Sequence, residues 1–257
     1  MLLQIKNLSV EVATPRGAKR LIDDVSLDVG EQRIVGLVGG SGSGKTTTGL
    51  SILRLLPALV SVTAGTIHYR GEDLLSLPEK KLQGLRGQEL AMVFQEPLNA
   101  LNPVFTIYDQ IAEVIKAHTN LTRPEIQGRV YELLKHVEIS DPVRVAQSYP
   151  HQISGGMRQR AMIAMAIALN PKLIIADEPT SNLDVTIQAR IIDLFQKLRQ
   201  ELKLSILLIT HDLGLVRHLA DEVAVMNAGK IVESATATGL WESPRHEYTR
   251  QLLKIRI

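Results

Sequence analysis

The chain has 257 residues, no cysteine, and 29 Lys plus Arg against 27 Asp plus Glu, a formal net charge of +2. Disulfides, thiolate metal sites and cysteine nucleophiles are excluded, and so near a balance offers no concentrated basic face for nucleic acid. No apolar run approaches the roughly 18 residues that span a bilayer, and the start reads without a leader's basic-then-apolar plan; the expectation is a cytoplasmic chain that can bury a sizeable core.

The chain to about residue 95 reads as strand-rich, with candidate strands Leu2–Asn7, Val25–Val29, Arg33–Val38, Thr66–Tyr69 and Leu90–Phe94 and turns at Gly17, Gly30, Gly65 and Gly71. One strong helix interrupts them, from about Lys45 to Leu56, with Pro57 behind it. Residues 96–169 change to helical spacing: Ile107, Ile111, Val114 and Ile115, then Val130, Leu133, Leu134 and Val137. After Asn170 strands and helices alternate: Leu173–Ala176, Ile187–Leu202, Ser205–Thr210, Leu213–Leu219, Glu222–Met226. That rhythm predicts a parallel sheet with covering helices. The organisation expected is an α/β core of residues 1–95 and 170–257, carrying an inserted helical subdomain at 96–169.

The most specific signal lies between the apolar run Ile34–Val38 and the helix after it. Gly39-Gly40-Ser41-Gly42-Ser43-Gly44-Lys45-Thr46 fits the phosphate-loop pattern G-x-x-x-x-G-K-[ST] in its expected strand-loop-helix setting. The glycines let backbone N–H groups wrap a phosphate chain, and the helix adds its positive end. Lys45 suits the β- and γ-phosphates, and the Thr46 hydroxyl suits Mg²⁺. Leu173-Ile174-Ile175-Ala176-Asp177-Glu178 ends a strand in two carboxylates. Asp177 suits Mg²⁺, and Glu178 suits a general base that polarises the attacking water.

Other positions admit two readings each. Ser154-Gly155-Gly156 opens an apolar helix and serves either as a plain N-cap or as a second phosphate contact. Gln95 closes a strand and is either polar surface or a group reaching Mg²⁺ or water. His211 follows Ile206-Leu207-Leu208-Ile209-Thr210 and is either structural or a γ-phosphate partner.

Taken in order, the loop, Gln95, Ser154-Gly155-Gly156, Asp177-Glu178, Ser181-Asn182-Leu183-Asp184 and His211 resemble an ABC-type ATPase subunit from about Leu2 to Leu253. The resemblance implies a single nucleotide-binding domain: an α/β, RecA-like P-loop core with an antiparallel β subdomain and an inserted α-helical subdomain. It implies ATP and Mg²⁺ as ligands, and two such subunits, identical or sister chains, meeting head to tail around two ATP. By the same resemblance the loop from Gly39 to Lys45, with Thr46 and Thr47, holds the phosphates, while Thr46, Gln95 and Asp177 hold Mg²⁺. Glu178 is then the base, His211 the γ-phosphate sensor and Asp184 the residue facing the partner subunit, whose ATP meets Ser154, Gly155 and Gly156.

A finer resemblance, to importers of peptides and nickel, rests on Gln95-Glu96-Pro97-Leu98-Asn99-Ala100-Leu101-Asn102-Pro103, Thr106–Ile111, Tyr149-Pro150-His151-Gln152 and Pro244-Arg245-His246-Glu247-Tyr248-Thr249-Arg250. It implies membrane permease subunits gripped by the segment after Gln95, a solute-binding protein outside the membrane, and a place on the membrane's cytoplasmic face. Two departures stand out. Val10-Glu11-Val12-Ala13-Thr14 lacks the aromatic residue that family members stack on adenine, and the chain stops at Ile257 without a cysteine-bearing tail, as in shorter nickel- or metallophore-type members. Asn227-Ala228-Gly229-Lys230 does not fit a GTPase's guanine reader. The length does not suit the paired cassettes or coiled-coil insertions of non-transport ABC ATPases.

Overall fold

The computed structural model of the protein describes residues 1–254; residues 255–257, with the chain end at Ile257, lie outside the described residues. In chain order the elements begin with β1 (Leu3–Thr14), β2 (Gly17–Val29), β3 (Ile34–Val38), α1 (Lys45–Ile52), β4 (Val60–Tyr69), β5 (Glu72–Asp73) and α2 (Glu79–Leu85). There follow β6 (Leu90–Val93), α3 (Pro97–Ala100), α4 (Ile107–His118), α5 (Arg123–His136), α6 (Pro142–Gln147), α7 (Gly155–Ala166), β7 (Leu173–Asp177) and α8 (Val185–Leu202). The chain closes with β8 (Ser205–Thr210), α9 (Leu213–Leu219), β9 (Glu222–Asn227), β10 (Lys230–Thr236), α10 (Ala237–Glu242) and α11 (Glu247–Lys254). Residue contacts divide these into two compact units, Met1–Leu82 together with the chain from Ser205, and Gln83–Leu204.

In the first unit β3 runs parallel to β8 and to β9, and β10 returns antiparallel on β9. Strands of a parallel sheet are covered on both faces and read as unbroken apolar runs. Accordingly β3 and β8 are buried at every position. Each Ile, Leu or Val there contributes about 1.5–3 kcal/mol of transfer free energy. The same unit holds an antiparallel sheet in the order β2-β1-β4-β5.

The β1–β2 hairpin runs well past the expected strands, with Val12 opposite Lys19 and Thr14 opposite Gly17. Its far half lies in solvent and carries Glu11, Lys19 and Arg20, so no apolar period marked it in the sequence. The helix expected to reach Leu56 stops at Ile52. Arg54 turns left-handed at φ 51°, and the Leu55 amide bonds back to the Leu50 carbonyl at 2.9 Å, a closure that satisfies an orphan helix-end acceptor.

In the second unit β6 runs parallel to β7, with Val93 opposite Ala176. The helices pack their spaced apolar residues inward: Ile107, Ile111 and Ile115 of α4, and Ile126, Val130, Leu133 and Leu134 of α5. Thr106 and Asp109 form a reciprocal cap at the start of α4. No described helix is long and apolar enough to cross a membrane.

Candidate functional site

In the first unit the site is built at one end of two neighbouring strands. Val38 of β3 lies opposite Thr210 of β8, so the glycine loop and His211 leave the parallel strands side by side, at the carboxyl edge where open α/β sheets hold ligands. The loop's shape is forced by its neighbours. At Gly39 a Cβ would stand 2.1 Å from the Met226 carbonyl oxygen, so only glycine lets the loop run against β9. Gly44 is the N-cap of α1 at φ 107°, a left-handed conformation that favours glycine, and it offers no side-chain cap to the helix's first amides.

Two buried polar groups lie on the loop. Lys45 is buried, and its Nζ donates to the Gly39 and Gly40 carbonyls at 2.9 and 3.0 Å. Burying an ammonium is costly unless it is paired and hydrogen-bonded. The Ser43 hydroxyl is buried with no hydrogen-bond partner. An orphaned donor beside a caged ammonium and an uncapped helix start is the donor set a phosphate chain would satisfy. Ser41, Gly42 and Thr46 are exposed at the mouth, and Thr47 is half-buried. His211 is exposed.

In the second unit β6 and β7 end together, and Ser181 ties their exits. Its amide donates to the Glu178 carbonyl at 3.0 Å, and its hydroxyl donates to the Gln95 backbone carbonyl at 3.1 Å. Asp177 and Glu178 are buried, whereas Gln95 is exposed. Glu178 sits at φ 47°, a left-handed backbone that costs a non-glycine residue about 1–3 kcal/mol and persists where surrounding structure over-determines it.

Ser154 and Asp184 are both N-caps: Ser154 accepts from the Met157 amide at 3.3 Å, and Asp184 from the Ile187 amide at 2.9 Å. Gly156 is glycine for packing, since a Cβ would meet Ile187 Cγ2 at 3.0 Å; at Gly155 the nearest atom would be at 3.7 Å. Arg158 folds back onto the Pro150 and Ile153 carbonyls and fixes the approach to Ser154. The first unit thus assembles Gly39 to Thr47 with His211. The second assembles Gln95 with Asp177 and Glu178, and brings Ser154, Gly155 and Gly156 near Asp184 through Ile187.

Sequence reasoning missed Gln110. Its buried amide grips Asn102 at both amide and carbonyl, and the carbonyls of Phe105 and Thr106, pinning the segment after Gln95. The available signal was a polar residue set among Ile107, Ile111 and Ile115.

The ABC transporter family model matches residues 22–181. The chain belongs to that family. This ABC chain is 49% identical over 252 residues, covering 98% of itself and 76% of the relative, to a Brucella melitensis protein named as a peptide import ATP-binding protein. It is 48% identical over 253 residues, again 98% of itself but 46% of the relative, to an Agrobacterium fabrum protein named as a peptidoglycan transport ATP-binding protein. Among solved structures it resembles a dimeric ATP-binding cassette in a post-hydrolysis state bound to ADP and Pi, with a TM-score of 0.82 at 27% identity over 92% of this chain and 99% of that one. The fold is that of the ABC P-loop ATPases, and the ABC subunit binds ATP and couples its hydrolysis to transport.

Val12, in the segment without an aromatic residue, is half-buried and pairs with Lys19 and Val60. Stacking on a ring is worth about 1–3 kcal/mol per base, and phosphate contacts do not see the base. Steady-state hydrolysis of GTP and CTP is therefore expected within about tenfold of ATP, and Val12→Tyr is expected to tighten ATP if that position faces the base. A hundredfold preference of the natural chain for ATP would show that other groups read the base.

Proposed function

We propose that the chain is the ATP-hydrolysing subunit of a peptide importer, working at the cytoplasmic face of the membrane as one half of a head-to-tail pair, identical or sister. ATP is its substrate, held by Gly39 to Gly44, Lys45, Thr46 and Thr47. Mg²⁺, when bound, would neutralise phosphate charge, and Thr46, Gln95 and Asp177 would hold it. Hard oxygen donors of this kind suit an ion that shares its shell with substrate phosphates rather than a protein cage. Glu178 takes the proton from the attacking water, and His211 meets the terminal phosphate. Ser154, Gly155, Gly156 and Asp184 serve the partner's nucleotide.

Three exposed apolar side chains support the membrane partners: Leu98, Val104 and Phe105 stand out of the segment that Gln110 pins. Exposed apolar side chains of this kind suit docking, here to two permease subunits, with a solute-binding protein acting from the far side. Val185, 81% exposed beside Asp184, suits the partner ATPase. The observation that carries the cargo is the identity over nearly the whole chain to proteins named for peptide import, which favours peptide over nickel. In a host strain lacking this chain, uptake of a labelled tripeptide should fall to background while uptake of radioactive nickel is retained. Loss of nickel uptake with peptide uptake intact would reverse the assignment.

A further inference from the structure

The C-terminal helix reaches the phosphate loop. Tyr248, the second residue of α11, is half-buried, and its Oη accepts a hydrogen bond from the Gly40 amide at 2.9 Å. Gly40 is not in the left-handed region, so its backbone conformation does not demand glycine; the crowding there comes from Tyr248, whose Oη would lie 3.0 Å from a Cβ built at Gly40 and would have to give way by a few tenths of an ångström. The tyrosine is itself held. The amides of Arg245 and His246 donate to the two carboxylate oxygens of Glu233 at 2.8 and 2.9 Å, and the Tyr248 amide donates to His246 Nδ1 at 3.1 Å. Glu233 is buried on β10 and pairs with Val225 of β9, next to Met226, against whose carbonyl Gly39 packs. Burial alone would raise the Glu233 carboxyl, but the donors around it outweigh that and hold it below the ordinary carboxylate value.

Gly40 is therefore clamped at both ends, its amide by Tyr248 and its carbonyl by Lys45. The clamps are not equal. The Lys45 ammonium carries charge that a triphosphate also calls on, whereas the Tyr248 hydroxyl is neutral and serves the loop. We propose that Tyr248 is a positioning residue for nucleotide binding: it holds the entry of the phosphate loop in the shape that receives the nucleotide. The residue touches the loop and not the reacting atoms, so it acts on affinity rather than on the chemical step. This rests on the reading of Gly39 to Thr46 as the ATP site.

The test is Tyr248→Phe in the full chain, which removes one oxygen and keeps the ring. Losing the acceptor of a half-buried amide should raise KM and Kd for Mg·ATP by about three- to tenfold, with kcat within about twofold. Gly40→Ala should weaken ATP binding in the natural chain and cost little more in the Tyr248→Phe background, because the group it collides with is gone. Glu233→Gln keeps the hydroxyl but loosens its anchor, and should raise KM in the same direction by less. It carries the test if Tyr248→Phe does not fold. An unchanged KM in the folded Tyr248→Phe variant, with only its melting temperature lowered, would make Tyr248 a packing residue and overturn the proposal. Strictly additive effects of Gly40→Ala and Tyr248→Phe would overturn it as well. Failure of the underlying site reading looks different: the natural chain itself would not bind ATP.

Discussion

Glu178→Gln is expected to leave ATP binding intact, to lower turnover by about 10²–10⁴-fold, and to trap a nucleotide-bound dimer. A positioned general base contributes an effect of that size, and glutamine keeps the shape while losing the ability to take a proton. The residue itself is held in place. Glu178 stands one residue past Asp177, is buried, and is fixed in a left-handed backbone by the Ser181 amide on its carbonyl. Holding an unfavourable φ at a buried carboxylate is unexpected of a residue whose only duty is to leave a strand. Turnover and ATP titration should be measured together with size-exclusion chromatography in ATP. Hydrolysis within a few-fold of the natural chain would remove Glu178 from the role of base. A parallel loss of binding would move it to the Mg²⁺ side with Asp177.

How much of this was legible in the sequence varied with the range of the forces involved. Strands buried on both faces announced themselves: Ser205–Thr210 has the bounds expected of it, as does the helix Leu213–Leu219, because apolar run, turn and periodicity all agree there. The outer half of the β1–β2 hairpin and the edge strand β10 carried no such pattern, since pairing rather than burial holds them. Local rules also recovered the N-cap reading of Ser154, which the Met157 amide bears out as geometry. The glycines divide the same way. Gly44 answers to its own backbone angle, but Gly39, Gly40 and Gly156 answer to Met226, Tyr248 and Ile187, far along the chain or on another helix. The contact between Gly40 and Tyr248 spans 208 residues, and Ser181 reaches Gln95 across 86. No window of local sequence reports such pairs.

Lys45→Ala should raise the dissociation constant for Mg·ATP by about ten- to a hundredfold. Hydrogen bonds to a charged group are worth about 1.5–3 kcal/mol net, and every 1.4 kcal/mol is tenfold in affinity. The substitution also removes two bonds to the loop's own carbonyls, at Gly39 and Gly40, so a fall in affinity by itself would not separate lost charge from a collapsed loop. Thermal melting separates them. A ligand that binds only the folded chain stabilises it by RT ln(1 + [L]/Kd), so at a fixed millimolar Mg·ATP the natural chain should gain melting temperature and Lys45→Ala should gain much less. If charge is what matters, Lys45→Arg should recover part of that gain, and Lys45→Met, which fills the volume without charge, should recover none. A nucleotide-free melting temperature close to the natural value in all three variants would show that the loop stands without the lysine, clamped by Tyr248 and Met226. Unchanged ATP affinity in Lys45→Ala would overturn the phosphate-loop assignment, because no other ammonium or guanidinium lies on the loop from Gly39 to Thr47 to hold the charge.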